Sequence, residues 1–396
     1  MHKYILLIIT LLASSLQSTA TTFYSTSSTA TLANGGAPSN GWTLNPNGIT
    51  GIGLQIIFED DDIVLLNGAS VEAAGGAQIA NLTINGNCYI SGSFEVRYTT
   101  TLNAGILTLG EATLQFGVGD NNTNAGKILG NPNGTTIGID ASFSDAYITF
   151  RGGNFTSFSP ANIITIPNGT FIGNTISYLD INTFSLFGQY QIELNTAITI
   201  TETLSISNGV LKTSTDANKK LLIDVNGYIY GTYQNPTEYG YVLGTLYRNT
   251  NAINTYEFPV AGSPSNFISP AIITGSASPS TFAMSSVDYE LAENNPLSNM
   301  PKCNGSNLIS VQAGLQYNIE RVTGTADAAV RLHYFQKPYY YWSGGSGVAP
   351  TNIHRLVMAH YNTTSNCWER VSTQSQNGDV ADAKITSDEL TNFSQR

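Results

Sequence analysis

Asp140, Asp145 and Arg151, with Asp180 further on, are the residues of this chain best suited to chemistry. Paired carboxylates on one face cleave polysaccharides as general acid and base, or hold Ca2+ beside a base. If Asp140 and Asp145 lie on adjacent strands or across a turn, their separation suits such a pair. The competing reading is that they are solvated turn residues, and it is the preferred one. No histidine lies between Thr21 and Thr245, so histidine acid–base catalysis is excluded from that stretch.

Calcium is the one cofactor that the residue pattern brings to mind. Asp120, Asn122 and Asn124 place oxygen ligands at alternate positions, as a calcium loop begins. The glycine at the sixth position and the closing glutamate of such a loop are missing, so a corner between strands is the better reading. The run Glu59-Asp60-Asp61-Asp62 is acidic enough for Ca2+. Consecutive strand residues point to alternate faces, however, and four carboxylates do not converge easily. His333, His354 and His360 read as surface residues; His354 and His360 flank the apolar stretch Leu356–Ala359 and could share a face, but too far apart along a strand to share a metal. Tyr339, Tyr340, Tyr341 and Trp342 form an aromatic run that would stack on sugar rings, or else fill the core or edge of a sheet. Cys303 and Cys367 share the C-terminal segment and are candidates for a disulfide, which leaves Cys88 as a small buried residue.

The elements that would position these groups are short strands. Leu204 and Ile206 alternate, Asn208-Gly209 turns, and Val210-Leu211 starts again. Variants recur over 81–96, 104–117, 163–176 and 221–233. Short strands broken at Gly or Asn, without helical segments between them, indicate a chain that winds rather than folds about one centre. The expected architecture is all-β: an irregular right-handed parallel β-helix over 51–245, capped by 21–50, then an antiparallel β-sandwich over 246–396. Inward ladders should come from Leu82/Ile84, Phe94/Val96, Leu107/Leu109, Leu114/Phe116, Ile164/Ile166, Leu204/Ile206 and Leu221/Ile223. In the C-terminal part, strands are expected at 254–260, 269–274, 316–322, 328–334, 355–361 and 367–372.

Composition agrees with a folded exported protein. Charged residues are only 11 % and apolar residues 41 %, which favours β-structure over disorder. The net charge of −11, with no basic cluster between Thr21 and Thr245, argues against nucleic acid or anionic lipid as a partner. His2 and Lys3, the apolar run Tyr4–Leu12 and Ser18-Thr19-Ala20 read as a secretory signal over 1–20. No later stretch is long and apolar enough to cross a membrane as a helix.

Several segments occur together in an order that resembles a family of exported Bacteroidetes proteins carried by the type IX secretion system. They are TFYS at Thr22–Ser25 with Trp42, NGVLKTS at Asn208–Ser214, and GTLYR at Gly244–Arg248 with YEFPVAG at Tyr256–Gly262. The run from Arg331 to Val371 is similar to the family's final strands. The resemblance implies secretion or display on the outer cell surface, and the partners expected for such a protein are surface polysaccharide or other cell-surface components. It supplies no catalytic residue. Family members continue past the position of Arg396 into a sorting domain, so this chain is either a fragment or leaves the cell by another route. The expected function is a structural or adhesin-like surface protein without catalysis. The alternative is a polysaccharide lyase or glycoside hydrolase, or a glycan-binding module on a β-helix.

Cleavage after Ala20 is the direct consequence of the leader. Mass spectrometry of the native protein should find Thr21 or a close neighbour as the first residue, and an intact Met1 would contradict the assignment.

Overall fold

The computed structural model describes residues 20–26, 29–33, 38–44, 46, 53–56, 60–117, 126–151, 163–183, 192–214, 216–230, 240–261, 270–286, 302–303, 317–335, 358–362, 364–378 and 382–390. Residues 1–19, nearly all of the expected secretory signal over 1–20, lie outside them. The chain is all-β, with large, mostly parallel sheets and antiparallel sheets toward the C-terminus. Among the described residues, a 3-10 turn at Ala217–Lys219 interrupts the strands.

Successive strands alternate between sheets. Asp62–Leu66, Asn81–Asn85, Thr99–Ala104 and Lys127–Gly130 pair in parallel in one sheet. Between them in sequence, Ser70–Ile79, Cys88–Val96 and Ile106–Phe116 pair in parallel in a second. The second sheet runs on through Gly138–Ala141, Ala146–Phe150, Phe171–Asn182 and Ile198–Lys212 to Leu221–Ile223 and Tyr228–Tyr230. Each strand therefore meets the equivalent strand of the next repeat. Alternation of apolar and polar residues then does the rest: every second side chain enters the same interior. All fourteen residues expected to point inward, from Leu82 to Ile223, are buried. Each such side chain contributes roughly 1.5–3 kcal/mol by leaving water.

Aromatic rungs stack as aliphatic ones do. Phe116 lies beside Phe150 with ring centroids 4.9 Å apart. Polar residues stack at the corners. The Asn67 side-chain oxygen accepts from the Asn87 amide at 3.1 Å, and the Asn87 oxygen accepts from the Ile106 amide at 2.9 Å. Each asparagine thus satisfies a backbone donor that the turn leaves unpaired. The long strands bend within their length where register shifts, and Gly92 makes one such bend at φ 80°. A Cβ there would sit 2.0 Å from the Ala73 carbonyl oxygen, so both conformation and space require glycine.

Parallel pairing does not hold all the way to the N-terminus. Thr22–Ser25 pairs in parallel with Asp62–Leu66 but antiparallel with Pro38–Thr43, which in turn pairs antiparallel with Gly53–Ile56. Reversed strands finish this sheet because a hairpin can cover an edge with a short connection, whereas a parallel strand needs a crossover. Trp42 is fully buried there, its indole N–H donating to the Thr31 carbonyl at 2.8 Å.

At the other end the expected division near Thr245 falls inside a strand. Thr245–Thr250 pairs in parallel with Leu221–Ile223 on one side and antiparallel with Ser280–Ser286 on the other. Tyr317–Gly324 then pairs with Ser280–Ser286, so the large sheet continues into residues expected to start a separate sandwich. The strand Ser280–Ser286 was not legible in the sequence, since Pro279 and three serines disguise Phe282 and Met284. A five-stranded antiparallel sheet follows, ordered Thr255–Glu257, Ala271–Thr274, Ala328–Phe335, Asp382–Ser387 and Thr373–Gly378. Ala359–Asn362 and Cys367–Arg370 form a separate antiparallel pair.

Arg248 ties these parts together. Its Nη1 donates to the Glu257 carbonyl at 2.9 Å and its Nη2 to the Gly227 carbonyl at 3.1 Å. The guanidinium lies 5.1 Å from the centre of the Tyr256 ring. Burial pulls its pKa down to about 10, against the opposing pull of Tyr256 and Glu257, so it remains charged at neutral pH. Arg331 pairs with the Glu257 carboxylate in the next sheet. Burial raises the Glu257 pKa, and Arg331, Lys384 and Arg248 oppose the rise.

Two substitutions separate these contributions. Phe116→Ala should cost about 3–5 kcal/mol by leaving a cavity in the aromatic rungs. Gly92→Ala should also lower the melting temperature, despite its single added methyl group, because it strains φ and meets Ala73. Thermal unfolding followed by far-UV circular dichroism checks both; a Gly92→Ala protein as stable as the parent would contradict the bend.

Candidate functional site

The structure gives each sequence candidate a different setting. The Asp140 carboxylate accepts from the Ser142 hydroxyl at 2.7 Å and from its amide at 3.2 Å, a local turn contact. Asp145 is exposed in the turn before Ala146–Phe150, and Arg151 is exposed just after it. Asp180 stands on Phe171–Asn182, in register with Thr149 and Ser205. Asp140 and Asp180 are thus on opposite sides of the 142–145 corner. The acidic run disperses as well. Asp60 pairs with Arg97 at 3.2 Å, Asp61 accepts from the Thr21 amide at 2.9 Å, and Asp62 accepts from Asn81 at 2.7 Å. Glu59, the loop of Asp120, Asn122 and Asn124, the aromatic run Tyr339 to Trp342, and His354 lie outside the described residues.

Cys303 and Cys367 are joined by a disulfide that closes a sequence separation of 64. Glu369 sits beside it, its Oε1 accepting from the Asn362 side chain at 2.8 Å. One group of side chains among the described residues is close enough to grip a metal: Cys303, Cys367 and Glu369, with ligand atoms within 4.8 Å. The disulfide consumes both thiolates that a metal would need. Cys88 is buried, and desolvation pushes its thiol up to about 12, so it is unreactive at neutral pH.

A different constellation emerges on the outer face of the second sheet. Parallel register sets Thr113, Tyr147, Tyr178, Thr203 and Tyr228 in one row across successive strands. The row two residues along reads Gln115, Thr149, Asp180, Ser205 and Tyr230, its first two members buried. Tyr147 and Tyr178 stack with centroids 4.3 Å apart and planes inclined by 20°. Tyr228 and Tyr230 are 61 % and 63 % exposed, unusually open for rings of that size. The strand between the tyrosines carries hydroxyls at Thr203, Ser205 and Ser207, the last two 3.2 Å apart, and a carboxylate at Glu202.

The result is a trough one strand wide. Its floor is Thr203 and Ser205; its walls are Tyr178 and Asp180 on one side, Tyr228 and Tyr230 on the other. Glu202, next to Thr203 on the central strand, hydrogen-bonds the Tyr178 hydroxyl at the rim of this trough. That bond, followed by desolvation and the charges of Glu202 and Tyr147, pushes the Tyr178 phenol up to about 12. Neither row contains lysine or arginine, so rings, hydroxyls and carboxylates define the chemistry. Aromatic faces attract C–H groups and cations, and the carboxylates accept hydrogen bonds from hydroxyl donors.

Sequence reading placed Asp180 in view but missed the four tyrosines. Their signal exists: each lies beside a buried apolar residue of its strand, Ile148, Leu179 or Ile229, the position of an outward side chain. What the sequence lacks is the register that lines them up. No protein family, no curated protein and no solved structure matches this chain.

The phenol of Tyr178 offers a direct check. Its folded pKa is above the ordinary value near 10, so its contribution to stability is present below pH 10 and is lost as pH rises through about 12. NMR of ring-labelled tyrosine should show one resonance titrating at the high end in the parent and moving down in Glu202→Gln. Identical titrations would remove Glu202 from the site.

Proposed function

We propose that this chain is an exported, surface-associated protein without catalytic activity, a rigid adhesin-like rod that presents its tyrosine trough to a ligand. In this reading the alternating parallel strands wind as an irregular right-handed β-helix, and the antiparallel strands after Thr250 form a sandwich-like end. Right-handed crossovers are the rule for parallel strands, and a wound chain offers a long, stiff face. The observation that carries the reading is the trough: exposed rings fixed on strands rather than on loops, with the required hydroxyls and carboxylates between them. A side chain held by a hydrogen-bonded strand loses little freedom on binding. The Cys303–Cys367 disulfide supports an oxidising compartment outside the cytoplasm. The trough also supports surface polysaccharide as the partner class.

A second reading has one specific support. Asp180 on the wall and Glu202 at the rim place two carboxylates beside the same trough, the minimum equipment of a glycoside hydrolase. The engagement of Glu202 by Tyr178 favours binding over proton transfer.

Incubation with a set of plant, algal and bacterial polysaccharides distinguishes the two. The adhesive reading expects retention on at least one polymer, weakened about tenfold by Tyr230→Ala, with no shortening of the polymer. Release of reducing ends or unsaturated sugars, abolished by Asp180→Asn, would establish the enzyme instead.

A further inference from the structure

The tyrosine row has a missing rung. Tyr147 and Tyr178 occupy adjacent strands and stack on each other. Thr203 comes next in register, and Tyr228 follows it. Tyr178 and Tyr228 are therefore two strand spacings apart, roughly 9.5 Å. The Tyr147–Tyr178 pair shows how rings in this row tilt, and a Tyr228 ring that follows that tilt faces Tyr178 across Thr203. The space between them is the width of one ring.

Its thickness decides which ring. A guest centred in the gap lies roughly 4.8 Å from each tyrosine. A flat aromatic guest makes best contact at about 3.5–4.0 Å, and a gap of 0.5–1 Å beyond that forfeits a quarter to a half of the attraction. A chair-shaped pyranose is thicker, because its axial C–H groups project toward both walls. Those hydrogens carry slight positive charge and meet the negative faces of the tyrosines. The floor agrees: Thr203 and Ser205 offer hydroxyls to ring hydroxyls, and Glu202 at the rim keeps acceptor capacity beyond the Tyr178 bond. A quaternary ammonium has no use for that floor. An anionic sugar would meet Glu202 and Asp180 with no cation in either row; Arg248, the cation near Tyr228, is buried and held by the Gly227 and Glu257 carbonyls.

We infer that the trough takes a neutral hexopyranose unit of a glycan chain, sandwiched between Tyr178 and Tyr228 above Thr203. The inference rests on the adhesive reading of this face and names its ligand. The chain of sugars continues along the strand direction, past Ser205 and Tyr230.

Filling the missing rung is the decisive test. Thr203→Tyr adds a ring where neighbouring strands already carry one, so the fold should accept it, with an unchanged melting temperature. Calorimetric titration should use cellohexaose, chitohexaose and mannohexaose, with choline and polygalacturonate as contrasting probes. At least one neutral hexasaccharide should bind the parent protein. Its affinity should fall about tenfold or more in Thr203→Tyr, equivalent to about 1.4 kcal/mol, and similarly in Tyr228→Ala. Tyr228→Ala removes an exposed ring and keeps the test valid if Thr203→Tyr fails to fold. Binding that survives both substitutions but is lost in Tyr230→Ala overturns the slot and leaves the adhesive face standing. Tighter binding of choline or polygalacturonate overturns the assignment of a neutral sugar. No binding of any neutral hexasaccharide overturns it as well.

Discussion

A strand in a parallel stack is complete only when a neighbour on each side accepts and donates its backbone hydrogen bonds. That requirement governs the rest of this molecule. It keeps each repeat in register with the next, and register sends Ile63, Leu82 and Thr100 to the same interior position on successive strands. It makes Asn67 and Asn87 useful, because a corner breaks the backbone ladder and a side chain must replace it. It also makes the two ends the weakest places, where backbone groups and apolar rungs would both face water.

The two ends meet that problem differently. At the N-terminal end, antiparallel strands and the buried indole of Trp42 cover the last rung. At the C-terminal end the large sheet changes direction through Thr245–Thr250, so no edge is left between the parallel and antiparallel parts. Arg248 is a buried charge with two carbonyl acceptors and an aromatic neighbour, and a cation left without them would be expensive. The segments GTLYR and YEFPVAG therefore belong together for a structural reason. Gly244 allows Thr213 to approach, Arg248 reaches Glu257, and Pro259 accepts from the Val242 amide at 2.7 Å.

Outward positions escape the demand for apolar rungs, and so they are free to carry function. Most of them here are threonine, serine or asparagine, which suit strands and water alike. Tyrosine is a costly choice at such a position, since it exposes a large ring. Four of them on neighbouring strands, interrupted by one hydroxyl-bearing strand, form a surface with shape. The carboxylates first weighed for catalysis or calcium have separate duties: Asp140 closes a turn, Asp60 to Asp62 hold three different partners, and Asp180 stands at the trough wall.

By itself the sequence determined the periodicity, and with it the strands, the all-β class and the inward residues such as Phe94, Leu107 and Ile206. Those depend on neighbours within the same strand, because alternation of polar and apolar residues is a local property. The pairing of Cys303 with Cys367 was legible as a candidate, since both fall in the one segment that has two cysteines. What only the tertiary structure decided is everything that depends on register between strands: the continuation of the large sheet into Ser280–Ser286, the reach of Arg248 to Gly227, and the row that sets Thr203 between Tyr178 and Tyr228. Repeats here differ in length, so residues of one row are separated by unequal stretches of chain. No spacing in the sequence announces them, and only backbone pairing brings them to the same height.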